Sequence, residues 1–120
     1  MNATGGISAA SDKTRTSTVR HLNDKFRTSF VGGRIVVTAG VAALSEHKLL
    51  ALLQLVRTFD AFSADNDPYE EHDFGAIDFG DERYFWKLDY YDRSMEAGSE
   101  NPADPASTTR VLTLMRADEY

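Results

Sequence analysis

The chain has no cysteine. It can therefore form no disulfide, supplies no thiolate nucleophile and holds no Cys-ligated zinc, and a reducing, cytoplasmic setting is the default expectation. Positive charge is in deficit: 13 Lys and Arg stand against 19 Asp and Glu, a formal net charge of −6. That balance argues against generic nucleic-acid binding, which needs cations to displace the counterions of phosphates. Long apolar runs are missing too. The longest apolar-leaning stretch, Ile35 to Leu44, is interrupted by Thr38 and Gly40 and falls far short of the ~18 residues that cross a bilayer. The opening residues MNATGGISAASDK have neither a basic n-region nor an apolar h-region, so no secretory signal is expected. Nothing in the composition calls for a cofactor, and neither a membrane nor direct nucleic-acid contact is expected.

What is present is a globular composition, 42% hydrophobic and 11% aromatic, in 120 residues, a length for one core and one domain. Charge is distributed unevenly. Residues 60–92 hold 11 carboxylates against Arg83 and Lys87, a net of −9, which leaves the remainder at +3. Residues 12–34 are the basic counterpart, with Lys13, Arg15, Arg20, Lys25, Arg27 and Arg34 against Asp12 and Asp24. Solubility with internal pairing accounts for such a dipolar chain; the sharper reading is an acidic face that docks on a basic partner.

Residues 1–16 are small and polar and read as a flexible tail, with one α+β domain over 17–120. Val19, Leu22, Phe26 and Phe30 recur at helical spacing, predicting an amphipathic helix over 17–29 with polar residues at the other positions. Arg34 to Ala39 is dense in β-branched residues and flanked by glycines, predicting a strand buried on both faces or nearly so. Val41 to Leu44 follows as a short connection. Ser45 ahead of Glu46 is an N-cap signal. Leu49, Leu52, Leu53, Val56 and Phe59 then obey the i, i+3, i+4, i+7 rule, with Leu50, Leu55 and Phe62 widening the stripe, so a long helix over 46–62 is expected. Pro68 ends that region. Residues 75–79 and 83–91 read as a hairpin turning at Gly80-Asp81, with Tyr84, Trp86, Leu88 and Tyr90 on the core face and Phe85, Lys87, Asp89 and Tyr91 on the other. Residues 92–109 read as a loop that is either functional or mobile. Val111 to Met115 fits a buried strand over 110–116, although Asp104-Pro105 could instead cap a helix; the strand is preferred because it gives the hairpin a third partner. The expected architecture is a small antiparallel sheet, one long amphipathic helix packed on it, and a second, N-terminal helix.

Two chemistries are open to the acidic stretch. Glu71, His72 and Asp73 are consecutive, and a histidine beside a carboxylate can act as a general base. Glu71, His72 and Asp89, with Asp92 near, could hold a divalent cation in a small metal-dependent hydrolase or nuclease. The pattern is unspecific. Asp65-x-Asp67 starts like an EF-hand loop, but Pro68 and Tyr69 break it; there is no H-E-x-x-H, Walker A or G-x-S-x-G. Asp73-Phe74-Gly75 lacks every companion motif of a kinase. The non-catalytic alternative is a docking face of carboxylates and aromatics: Asp67, Tyr69, Glu70, Glu71, Asp73, Asp78, Asp81, Glu82, Phe85, Asp89, Tyr91 and Asp92. Regularly spaced carboxylates can also imitate a phosphate backbone and so occupy the basic groove of a nucleic-acid enzyme.

The stretches LNDKFRTSF, GGRIVVTAGVAAL, FDAFSADNDPYEEHDFG, RYFWKLDYYD and DPASTTRVLTLMRADEY resemble the bacterial domain-of-unknown-function 3768 family from about Leu22 to Tyr120. The resemblance is carried by NDPY-x-EHDFG and FWK-x-DYYD. It implies no activity, cofactor or catalytic residue. It implies a setting in proteobacteria, often beside plasmid or other mobile-element genes, where small acidic proteins act against host defence. The expectation is thus a non-catalytic protein-binding module for a partner with a basic, nucleic-acid-binding surface, such as an anti-defence or anti-CRISPR protein. An exposed hairpin edge could also pair two copies as a homodimer.

Overall fold

The computed structural model describes residues 3–120, with side chains from Asp12 onward. Four strands form one sheet in the order β1-β4-β3-β2: β1 (Gly33–Val37), β2 (Phe74–Phe79), β3 (Glu82–Tyr91) and β4 (Thr109–Arg116). Three helices accompany them, α1 (Ala3–Ser29), the single turn α2 (Ala39–Ala42) and α3 (Glu46–Arg57), and a 3-10 turn at Ala117–Glu119 follows β4. The class is α+β, as the sequence pattern predicts.

The sheet is mixed instead of antiparallel. β2–β3 and β3–β4 pair antiparallel, but β1 runs parallel to β4, Ile35 opposite Leu112. Parallel neighbours need a crossover, and here it comprises α2, α3 and the whole hairpin. The 110–116 segment lies in the strand β4, which is central: five of its eight residues are buried, with a strand on either side. β1 is an edge strand, so the expectation of burial on both faces fails; Val36 is 44% exposed.

All three helices pack on one face. Trp86, Leu112, Leu114, Leu52, Val56 and Val41 are fully buried there, with Phe26, Tyr84 and Leu88 close behind. At ~1.5–3 kcal/mol per buried large apolar side chain, this cluster is the dominant stabilising term. The expected core face of β3 is therefore correct, with Tyr90 packed at its margin. Gly75 lies opposite Trp86, and a Cβ there would meet the indole Nε1, its Cε2 at 2.6 Å and Phe59 Cζ at 2.9 Å. Only glycine leaves room for the Trp. The hairpin turn is the two residues expected, Gly80-Asp81, with positive φ (63°) at Gly80 alone, as a II′ turn requires.

Three helix boundaries differ from the spacing. α1 begins at Ala3 instead of Ser17, so residues 3–16 are helical where a flexible tail is expected; residues 1–2 lie outside the described part. Propagating a helix is far cheaper than nucleating one, and no proline stops α1 on its N-terminal side. α2 occupies part of the expected connection, and Val41 from it is buried. α3 starts at its Ser45 cap, whose hydroxyl accepts from Lys48 N, but stops at Arg57. Arg27 of α1 explains the stop: its Nη1 takes the carbonyls of Val56, Arg57 and Phe59 at 3.0, 3.3 and 2.9 Å. A cation there satisfies the free carbonyls and suits the negative helix end. Leu50 and Leu55 do not join the stripe; they are 59% and 39% exposed. Among the described residues no helix is long and apolar enough to cross a membrane.

Candidate functional site

The acidic approach to β2 is clamped from behind by one face of α1. Arg20, Asn23, Asp24 and Arg27 recur at three- and four-residue steps and project the same way. Arg20 Nη1 donates to Glu70 O at 2.8 Å, and Asn23 Nδ2 to Glu71 O at 2.9 Å. Asp24 Oδ1 lies 2.8 Å from His72 Nδ1 and 3.2 Å from Arg27 Nη2. On the far side of the ring, Asp67 Oδ2 stands 3.6 Å from His72 Nε2, and Asp67 Oδ1 accepts from His72 N at 3.1 Å. Phe62 stacks on the imidazole with centroids 3.7 Å apart and planes inclined by 2°. His72 is thus hydrogen-bonded at Nδ1 and covered on one ring face, with the Asp67 carboxylate near its other nitrogen. The loop needs this support because Glu70 and His72 both have left-handed backbone, φ 58° and 55°, a conformation that costs non-glycine residues ~1 kcal/mol or more.

Behind the clamp lies a buried polar chain. Asn23, fully buried, donates to Tyr90 Oη at 2.8 Å and accepts from Arg110 Nε at 2.8 Å. Tyr90 Oη in turn donates to Glu71 Oε1 at 2.7 Å. Burial, with Glu71 and Asp73 adding to it, pushes the Tyr90 phenol above its ordinary range. Arg110 also donates to Pro102 O and lies over the Tyr90 ring at 5.3 Å. Burial lowers its pKa.

The structure does not bring the expected catalytic or metal-binding residues to one point. Glu71 is engaged by Tyr90, His72 by Asp24 and Asp67, and Asp89 by Lys87 Nζ at 2.8 Å. Among the described residues no group of three His, Asp or Glu side chains could hold a metal ion. Asp73, half-buried, has its pKa raised by desolvation and by the nearby Glu71, and its carbonyl accepts from Leu88 N at 2.8 Å.

The expected docking residues divide into two groups. Asp67 is buried (6% exposed) and Glu71 is half-buried, so both serve the loop's own architecture. Asp92 likewise accepts from Ser94 Oγ and Glu96 N and closes a turn, which lowers its pKa. The 92–109 loop is hydrogen-bonded throughout, as in Ser99 N to Tyr90 O at 3.0 Å and Thr108 Oγ1 to Asn101 O at 2.9 Å. The second group is at the surface. Tyr69 is 79% exposed, and Glu70, Asp78, Asp81 and Glu82 are exposed with it. Phe85, Asp89 and Tyr91 are half-exposed on the side of β3 away from the helices. Asp78 is held by Arg83 at 2.9 Å, which lowers its pKa, and Glu82 by Arg116 at 3.0 Å.

That helix-free side carries an aromatic cluster that sequence reasoning reaches only at Phe85. Phe74 lies 5.1 Å from Phe85, and Tyr120 closes the triangle at 6.1 and 5.5 Å between ring centroids. Tyr120 is 76% exposed. Alternation placed Phe74 with Ala76 and Asp78 and could have found it; no local signal returns Tyr120 to this face.

No curated protein and no solved structure matches the chain. The model of the family described as "Protein of unknown function (DUF3768)" matches residues 37–119, a span that takes in the acidic loop, the hairpin and β4 but only the end of β1, and the chain belongs to that family.

Proposed function

We propose that the protein is a non-catalytic binding module that docks a basic partner on the helix-free face of its sheet. The observation that carries this is the one-sided packing: α1, α2 and α3 place Phe26, Val41, Leu52 and Val56 against the Trp86 face. The other face presents Phe74, Phe85 and Tyr120 as a contiguous aromatic patch. Aromatic side chains in such a patch commonly supply the strongest single contributions to an interface. Asp78 and Asp89 lie on this face, and Asp81 is exposed at the hairpin turn beside it. Asp78 and Asp89 are paired internally, with Arg83 and Lys87. A basic partner would exchange those exposed pairs at little cost, because surface ion pairs are worth only ~0–1 kcal/mol.

The partner that suits an acidic, aromatic face is a protein with a cationic, nucleic-acid-binding surface, and the setting is the cytoplasm. An inhibitor or accessory protein of a plasmid or other mobile element, acting on a defence nuclease, is the biological role we attach to this reading. The test is affinity capture from host lysate with the wild type and with Phe85→Ser/Tyr120→Ala. Any protein lost by the variant is then purified and titrated by calorimetry. A partner with a basic surface whose affinity falls about tenfold or more supports the proposal. Equal recovery and equal affinity would sink it.

A further inference from the structure

We infer that the cleft between the end of α1, the start of β1 and the 92–109 loop binds a small organic phosphate of nucleotide size. The cleft has a volume of about 590 Å³, within the range of small-molecule sites. Its walls include Lys25, Arg34, Arg93 and Arg110, and among the described residues no carboxylate lines it. In a chain of net charge −6 this is a concentrated patch of the opposite sign. None of the four cations forms an ion pair with a described residue.

Arg110 is the strongest indication. It is only 3% exposed, yet its hydrogen bonds run to neutral acceptors, Asn23 Oδ1 and Pro102 O. The carboxylate of Glu71 is near enough to act on Arg110 through space but makes no hydrogen bond or ion pair with it, and bonds Tyr90 Oη instead. A buried charge with no counter-ion in contact is costly and is relieved when an anion arrives. Arg110 Nη1 has no hydrogen bond to a described residue, and it is not among the buried atoms sealed from solvent. A free, oriented guanidinium edge of this kind suits phosphate oxygens. Phe26 and Val31 supply apolar wall on the α1 side, which is what a base or other organic moiety requires and inorganic phosphate does not. None of Phe74, Phe85 and Tyr120 lines the cleft, so this site is separate from the docking face.

The test is isothermal calorimetry at low ionic strength with ADP, pyrophosphate and adenosine as probes. Saturable heat is expected with ADP, weaker binding with pyrophosphate and none with adenosine. Arg34→Glu/Arg93→Glu changes two exposed side chains and keeps Arg110 in place; circular dichroism verifies its fold. This variant should lose affinity for ADP by about tenfold or more, while Lys48→Glu, an exposed cation on α3 outside the cleft, should leave it unchanged. The inference is overturned by absence of saturable heat with ADP, by equal losses in Lys48→Glu, or by full affinity in Arg34→Glu/Arg93→Glu. Equal affinity for ADP and pyrophosphate, or for ADP and adenosine, would also overturn it, since one half of the ligand would then contribute nothing.

Discussion

Replacing Asn23 by Ala should be among the most damaging single changes in this protein, although the side chain is small and polar. Asn23 is fully buried and makes three hydrogen bonds of 2.8–2.9 Å, to Glu71 O, Tyr90 Oη and Arg110 Nε. Truncation removes all three at once. The expensive loss is at Arg110, whose charged Nε is left buried without an acceptor, at roughly 2–3 kcal/mol. Glu71 O loses its donor in a half-buried place, about 1 kcal/mol more. Tyr90 keeps its own donation to Glu71 and loses less. The sum is about 3–5 kcal/mol, a large part of the ~5–15 kcal/mol that holds a domain folded. Urea denaturation followed by the emission of Trp86, the single and fully buried tryptophan, reads this directly. The midpoint should fall with the slope m unchanged. Tyr90→Phe, which removes one hydroxyl, should cost about 1 kcal/mol, and the double variant should be less than additive because the two groups share one network. A loss below ~1 kcal/mol in Asn23→Ala would mean that water replaces the amide freely and that the chain is not a buried one.

Three further outcomes are expected. Gly75→Ala should destabilise by about 1–3 kcal/mol, since the added methyl meets the Trp86 ring and Phe59, and near-ultraviolet circular dichroism should show the indole displaced. Arg27→Met keeps the volume but frees the carbonyls of Val56, Arg57 and Phe59, so a loss of about 2–4 kcal/mol and faster amide exchange at the end of α3 should follow. Asp73 has its pKa raised on folding, so the native state holds its proton more tightly than the unfolded chain. Its contribution to stability is therefore full below the unfolded value of 3.8 and falls as pH rises through the folded pKa. Asp73→Asn should be more stable than the wild type at neutral pH and lose that advantage in acid. A constant difference from pH 7 down to 3 would contradict the assignment of the shift to burial.

What the sequence disclosed follows a physical division. Period-two alternation exposed the core face of β3, and a capped, periodic stripe exposed α3, because both patterns are local. Burial that depends on a partner far along the chain was invisible. Arg27 and Asn23 look like surface residues of an amphipathic helix, and only the approach of α3 and β4 turns them inward. Arg110 was nearer to being legible, since it shares the parity of Leu112 and Leu114 and so had to face the helices. The parallel pairing of β1 with β4 left no trace, because both strands read the same in either direction. In the candidate site, the Glu-His-Asp run suggested convergence, yet adjacent residues on an irregular loop point apart. His72 finds Asp24, 48 residues away, while Glu71 finds Tyr90.

The central claim is that the helix-free face of the sheet is a binding surface. It is tested most directly by titrating the purified, captured partner against the wild type, Phe85→Ser/Tyr120→Ala and Arg34→Glu/Arg93→Glu in parallel. Tyr120 is 76% exposed, so its change should leave folding intact. The proposal predicts that only Phe85→Ser/Tyr120→Ala weakens the complex, by about tenfold or more. Equal affinity in all three proteins would contradict it.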